Sequence, residues 1–75
     1  MTFGERLRAC RRARGISQRM LSYKSGVHLN NIGNYERDEF EPTLHNAAKL
    51  AQALGVSLDY LAGLKDEQIK YYLEE

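Results

Sequence analysis

The sequence predicts an all-α fold: five short helices gathered into one compact cluster, with room for a short sixth helix at the carboxyl end. Three observations predict it. Apolar residues recur at spacings of three and four, as in Phe3, Leu7 and Cys10, or Leu44, Ala47, Leu50, Ala51 and Leu54. No segment alternates apolar and polar residues with the β-branched enrichment of a half-buried strand. Gly15, Gly26, Pro42, Gly55 and Gly63 cut the chain into pieces too short for a simple up-and-down bundle.

The first element spans residues 2–14 and ends at Gly15. Ser17 has a side-chain oxygen that can accept from the open amides of a helix start. It caps a second element reaching about residue 25, with Leu21 facing inward and Gly26 closing it. A third runs over about residues 29–37. Pro42-Thr43 opens a fourth, whose apolar stripe runs from Leu44 to Leu54 before Gly55. Ser57 caps a fifth over residues 58–62, and Gly63 stops it. In residues 66–75, Ile69, Tyr72 and Leu73 fall on one side, as a sixth helix requires. The expected core is Leu7, Ile16, Leu21, Val27, Ile32, Leu50, Leu54 and Leu61, with Cys10 on the apolar side of the first helix. Tyr23, Tyr35 and Tyr60 are expected in the core or at its rim.

Seventy-five residues bound the chain to one domain. A chain this short buries only about 60% of the surface its unfolded form exposes, which leaves little room for a deep catalytic pocket. Ser17, His28 and Asp59 offer no strained turn or oxyanion hole, so no enzyme is expected. Cys10, His28 and His45 lack metal-ligand spacing, and neither a metal, a cofactor nor a small-molecule ligand is expected. One lone cysteine fits a reducing compartment. No apolar run exceeds three residues and the start MTFGER is not a secretory signal, so the expected location is the cytoplasm, with no membrane contact.

The net charge of +1 conceals a split. Residues 1–37 hold eight Arg or Lys against two Glu, a balance of +6, whereas residues 38–75 hold three Lys against eight acids, a balance of −5. Such asymmetry points one basic face at a polyanion.

Residues 17–37 carry the sharper signal. Gly26-Val27-His28 is a turn of the length that sets two helices steeply across one another. Gly26 is free to take a left-handed conformation there. Ser22 is small enough for the crossing, and Leu21, Val27, Ile32 and Tyr35 are apolar anchors. The ordered series FGERLRACRRARGISQ, MLSYKSGV, IGNYER, EPTL and KLAQALGVSLDYLAG, over about residues 3–63, resembles the lambda-repressor-like, Cro/XRE-type helix-turn-helix family. The resemblance implies a DNA-binding domain in residues 1–63 and a carboxyl-terminal extension in 64–75. It further implies a bacterial or phage-encoded transcriptional regulator, a repressor, that binds a palindromic operator in double-stranded DNA as a homodimer with its third helix in the major groove.

Carried over position by position, the resemblance places Leu29, Asn30, Gly33 and Asn34 at base edges. It places Ser17, Gln18, Arg19, His28 and Arg37 at phosphates, and an ion pair between Arg11 and Glu36 beneath the reading helix. Helical geometry agrees independently, since Leu29, Gly33, Arg37, Asn30 and Asn34 fall within one arc of about 140° while Ile32 and Tyr35 face the other way. Asparagine can pair bidentately with adenine, and Leu29 can touch a thymine methyl. Gly33, at the centre of the arc, would let the backbone approach the groove floor. His28 stands where relatives usually carry Ser or Thr, which predicts a weaker cap. The alternative reading, from a different class, is a protein-interaction module of the same fold, antitoxin-like, with weak or lost DNA binding. Asp38, Glu39 and Glu41, just past the reading helix, argue for it because phosphate repels them.

Overall fold

The computed structural model describes residues 1–64. Five helices follow in order: α1 Phe3–Ala13, α2 Gln18–Ser25, α3 Leu29–Glu36, α4 Leu44–Leu54 and α5 Leu58–Leu61. No strand occurs among the described residues, so the all-α expectation stands. The sixth helix expected within residues 66–75 lies outside them.

Each helix starts where a side chain accepts the amides that the first turn leaves open. Thr2 Oγ1 accepts from Glu5 N at 3.1 Å while Glu5 Oε1 accepts from Thr2 N at 2.9 Å, a reciprocal capping box. Ser17, Thr43 and Ser57 cap α2, α4 and α5 in the simpler way, through Met20 N, Asn46 N and Tyr60 N. His28 stands at the cap of α3 as the sequence predicts, its Nδ1 accepting from Asn30 N at 3.1 Å. A ring nitrogen here does the work of a hydroxyl.

Helix ends use a second device. After α4, Gly55 N donates to Gln52 O and Val56 N to Ala51 O, the paired bonds of a Schellman turn. That turn folds Val56 back under the helix, where it is fully buried. Ile16 holds the equivalent place after α1, its amide reaching Arg11 O at 3.4 Å.

Packing closes the fold: α3 lies across α1 and α2, α4 packs on α2 and α5, and α5 returns to α1. Leu7, Leu21, Ile32, Leu50, Leu54, Val56 and Leu61 are fully or almost fully buried at the centre. Trimming any one of the leucines to alanine is worth about 2–5 kcal/mol. Three expectations need correction. Ile16 is only half-buried and packs against the core from its edge. Leu44 is 75% exposed, because α2 and α5 cover α4 from Ala47 onward and leave its first turn bare. Tyr23 is 85% exposed, since two residues past the buried Leu21 a helix has turned to its opposite side. Tyr35, by contrast, is a core residue: it meets Phe3 edge-on at 6.4 Å, and its hydroxyl accepts from Asn46 Nδ2 at 3.0 Å.

Candidate nucleic-acid interface

The turn between α2 and α3 sets the site. Gly26 takes φ 78°, a left-handed value that L side chains rarely adopt, and its amide donates to Ser22 O at 2.9 Å. Ser22 is more than a small contact. Its hydroxyl donates to Val27 O at 2.6 Å and pins the turn from the α2 side. Val27 is buried, and α3 begins two residues beyond this anchor.

Beneath α3 sits a charged cluster. Glu36 is 6% exposed, and its carboxylate accepts from Arg11 Nε at 2.6 Å and Arg11 Nη2 at 3.0 Å. Gln18 Nε2 adds a third bond at 3.0 Å, and Arg8 stands 3.7 Å away. Arg11 Nη1 also donates to Ile16 O at 2.9 Å, so one guanidinium ties α3 to the end of α1. Burial pushes the Glu36 carboxyl up, but the hydrogen bonds from Arg11 and Gln18, with the charges of Arg11 and Arg8, hold it below its ordinary value. The bond to Glu36 correspondingly raises Arg11.

The amino terminus clasps the far end of α3. Asp38 adopts φ 59° and accepts from Thr2 Oγ1 at 2.6 Å and from Gly4 N at 3.0 Å. Gly4 makes the approach possible, because a Cβ there would collide with the Tyr35 carbonyl oxygen and lie 2.7 Å from that of Glu36. Neither Gly4 nor Asp38 was expected in this role. The only sequence signal was a glycine inside a helix, which needs a packing reason.

On its outward side α3 forms one wall of a groove lined by Gln18, Leu29, Asn30, Gly33, Asn34 and Arg37. The residues expected at base edges therefore share one surface, with the start of α2 beside them. Ser17 and Arg19 are exposed at that start, and His28 is exposed at the start of α3. With Nδ1 of His28 occupied as an acceptor, Nε2 is the ring's donor. Gln18 divides its amide: Nε2 supports Glu36, while Oε1 lies 3.8 Å from where a Cβ on Gly33 would stand.

The space over Gly33 is not open. Arg37 folds back along α3, its Nη2 donating to Asn34 Oδ1 at 2.8 Å and to Glu39 Oε1 at 3.1 Å. Its Nε stands 3.1 Å from Glu39 Oε2, and Nη1 comes within 3.2 Å of the position of a Gly33 Cβ. Their hydrogen bond lowers the Glu39 carboxyl and raises Arg37 from their ordinary values. Two of the three acids just past α3 thus have partners within the fold.

A separate apolar groove runs between Phe3, Pro42, Leu44, Ala47, Leu58 and Leu64. Among the described residues, no helix is long and apolar enough to cross a membrane. No group of three or more His, Cys, Asp or Glu that could hold a metal ion occurs among them either.

Comparison with known proteins bears on this geometry. A helix-turn-helix family model matches residues 7–61. An SPbeta prophage-derived HTH-type transcriptional regulator of Bacillus subtilis, YonR, is 40% identical over 73 residues, covering 97% of this chain and 66% of its own length. Two further relatives are covered over 54% and 55% of their lengths, so the chain spans about half to two-thirds of the curated relatives it matches. Among solved structures, the P22 c2 repressor in complex with a synthetic operator superposes with a TM-score of 0.80 at 38% identity, over 87% of this chain and 98% of that one. The restriction-modification controller protein C.AhdI from Aeromonas hydrophila gives 0.76 at 41% identity, over 79% and 89% of the two chains. With this turn, this crossing and these matches, the chain belongs to the helix-turn-helix family.

Proposed function

We propose that the protein is a sequence-specific double-stranded-DNA-binding transcriptional regulator that acts as a repressor, with residues 1–63 as its DNA-binding domain. One observation carries the reading: Leu29, Asn30, Gly33 and Asn34 line a single outward groove whose other wall is the start of α2. In this reading α3 lies in the major groove with those four residues toward base edges. The open amides at the start of α2, with Ser17, Gln18, Arg19 and His28, face the flanking phosphates. That the similar P22 c2 repressor is in complex with a synthetic operator supports the DNA-binding part of this reading. Such a regulator works beside the DNA, in a bacterial cytoplasm.

A helix of eight residues reads only a few base pairs, so two copies are needed for a long site. The reading sets two α3 helices about 34 Å apart on a palindromic operator, where the dimer occludes polymerase. The apolar groove around Leu44 and Leu64, 75% and 76% exposed, is the surface assigned to the second copy. Leu44→Asp should convert dimer to monomer in sedimentation and weaken operator binding; an unchanged dimer removes this surface from the reading.

The rival, a protein-interaction module without DNA binding, drew on the acids after α3. Asp38 and Glu39 are engaged within the fold, which weakens that argument. Selection from a randomised duplex library with the full chain tests the function. A palindromic site is expected, with log K falling against log salt at a slope of about −4 to −5 for five phosphate contacts. An Asn30→Ala, Asn34→Ala double variant should lose the specific part of the affinity. If it binds as tightly as the parent, the rival gains.

A further inference from the structure

We infer that Arg37, Asn34 and Glu39 form a guanine-reading unit on the outward face of α3 and that Gly33 makes room for it; this rests on the DNA-binding reading above. The Arg37 guanidinium lines the groove, held by Asn34 at 2.8 Å and by Glu39 at 3.1 Å. It crosses the helix over Gly33, where a Cβ would stand 3.2 Å from Nη1.

The hydrogen-bond inventory then selects the base. Of the guanidinium's N–H groups, those on Nη2 donate to Asn34 and Glu39, and Nε stands 3.1 Å from Glu39 Oε2. Those on Nη1 have no partner among the described residues. Asn34 Oδ1 accepts from Arg37, which leaves its Nδ2 as the donor of that amide. The pair together therefore offers donors. Guanine presents two acceptors, N7 and O6, at its major-groove edge. Adenine sets an amino group beside its N7, and that amino group would meet a donor head-on. Cytosine presents a donor, and thymine a single oxygen beside a methyl. The expectation that Asn34 reads adenine is thus replaced by guanine, and Asn30 keeps the adenine role. Glu39 is a positioning residue. It fixes the plane of the guanidinium and cancels its charge toward phosphate, so Arg37 contributes discrimination more than general attraction.

The experiment is duplex selection with the full chain and with Arg37→Met, Gly33→Ala and Glu39→Gln, followed by affinities on the selected site. The parent should enrich a guanine at one position of each half-site. Arg37→Met should lower preference at that position about tenfold and leave the others in place. Glu39→Gln and Gly33→Ala should weaken the same position by smaller factors. Replacing that guanine by 7-deazaguanine should weaken the parent but not the Arg37→Met variant, a loss a merely structural arginine would not produce. A uniform loss over all duplexes on Arg37→Met, with the salt slope reduced by about one, would mean a phosphate contact and overturn the inference. A selected site that Arg37→Met leaves unchanged overturns it too. A parent that enriches no duplex overturns the DNA-binding reading along with it, which separates the two failures.

Discussion

Two arginine–glutamate pairs flank α3, one under it and one on its outward face, and burial gives them different work. Glu36 is almost wholly buried, with Arg11, Gln18 and Arg8 around it. Neither partner of that core pair can be removed without stranding the other away from water. Glu39 and Arg37 have side chains 52% and 59% exposed, and water screens what they gain from each other. The buried pair fixes where the helix lies. The exposed pair can be lost without disturbing the fold.

The largest expected effect falls on the buried side. Glu36→Ala should cost about 3–5 kcal/mol in urea denaturation, because Arg11 is left buried without its carboxylate. A midpoint equal to that of the parent would erase the contrast between the two pairs. Acid probes the same group. Its carboxyl is held below the ordinary value of 4.5, so the stabilisation is complete above that value and drains away as pH falls through the lower, folded one. Glu36→Gln should flatten that acid limb of the stability curve.

Next comes Gly4, where α1 rests on the last carbonyls of α3. Gly4→Ala should destabilise by about 1–3 kcal/mol, since two of the three atoms it would meet are backbone and cannot swing aside. Thermal unfolding measures it, and no loss would show that the close approach relaxes. Gly33→Ala should act in the opposite direction. The added methyl meets only the flexible ends of Arg37 and Gln18, and a glycine leaving a helix interior returns up to about 1 kcal/mol. A fold that gains stability while DNA preference declines would separate the two faces of α3 most cleanly; a loss of stability would place Gly33 with Gly4. Smallest is Glu39→Gln. Its denaturation midpoint should not move, and a clear fall would make the outer pair structural like the inner one.

Much of this was legible because the signals are local. Ser17, Thr43 and Ser57 announce helix starts through an oxygen placed to accept amides, and the apolar spacing places Leu7, Leu21, Ile32, Leu50 and Leu54 inside. Val56 was missed because it lies outside the helical period, although an apolar residue after a terminating glycine is the mark of a Schellman turn. Leu44 was misplaced because periodicity gives the direction of a face and not what covers it. The clasp among Thr2, Gly4 and Asp38 joins residues more than thirty positions apart, and no local pattern encodes such a pairing. At the groove, the positions on the arc could be read from helical geometry. That Arg37 would turn back over Gly33 depends on a side-chain torsion and on Glu39 in the following loop.

The clasp also bears on electrostatics. Asp38 accepts from the amide of Gly4, in the first turn of α1, where the aligned peptide dipoles gather about half a positive charge. The first carboxylate beyond the end of α3 is therefore partly neutralised in place. A phosphate approaching that corner meets a compensated pair rather than a bare anion, and Asp38→Asn should improve DNA affinity by less than the removal of a full charge would suggest.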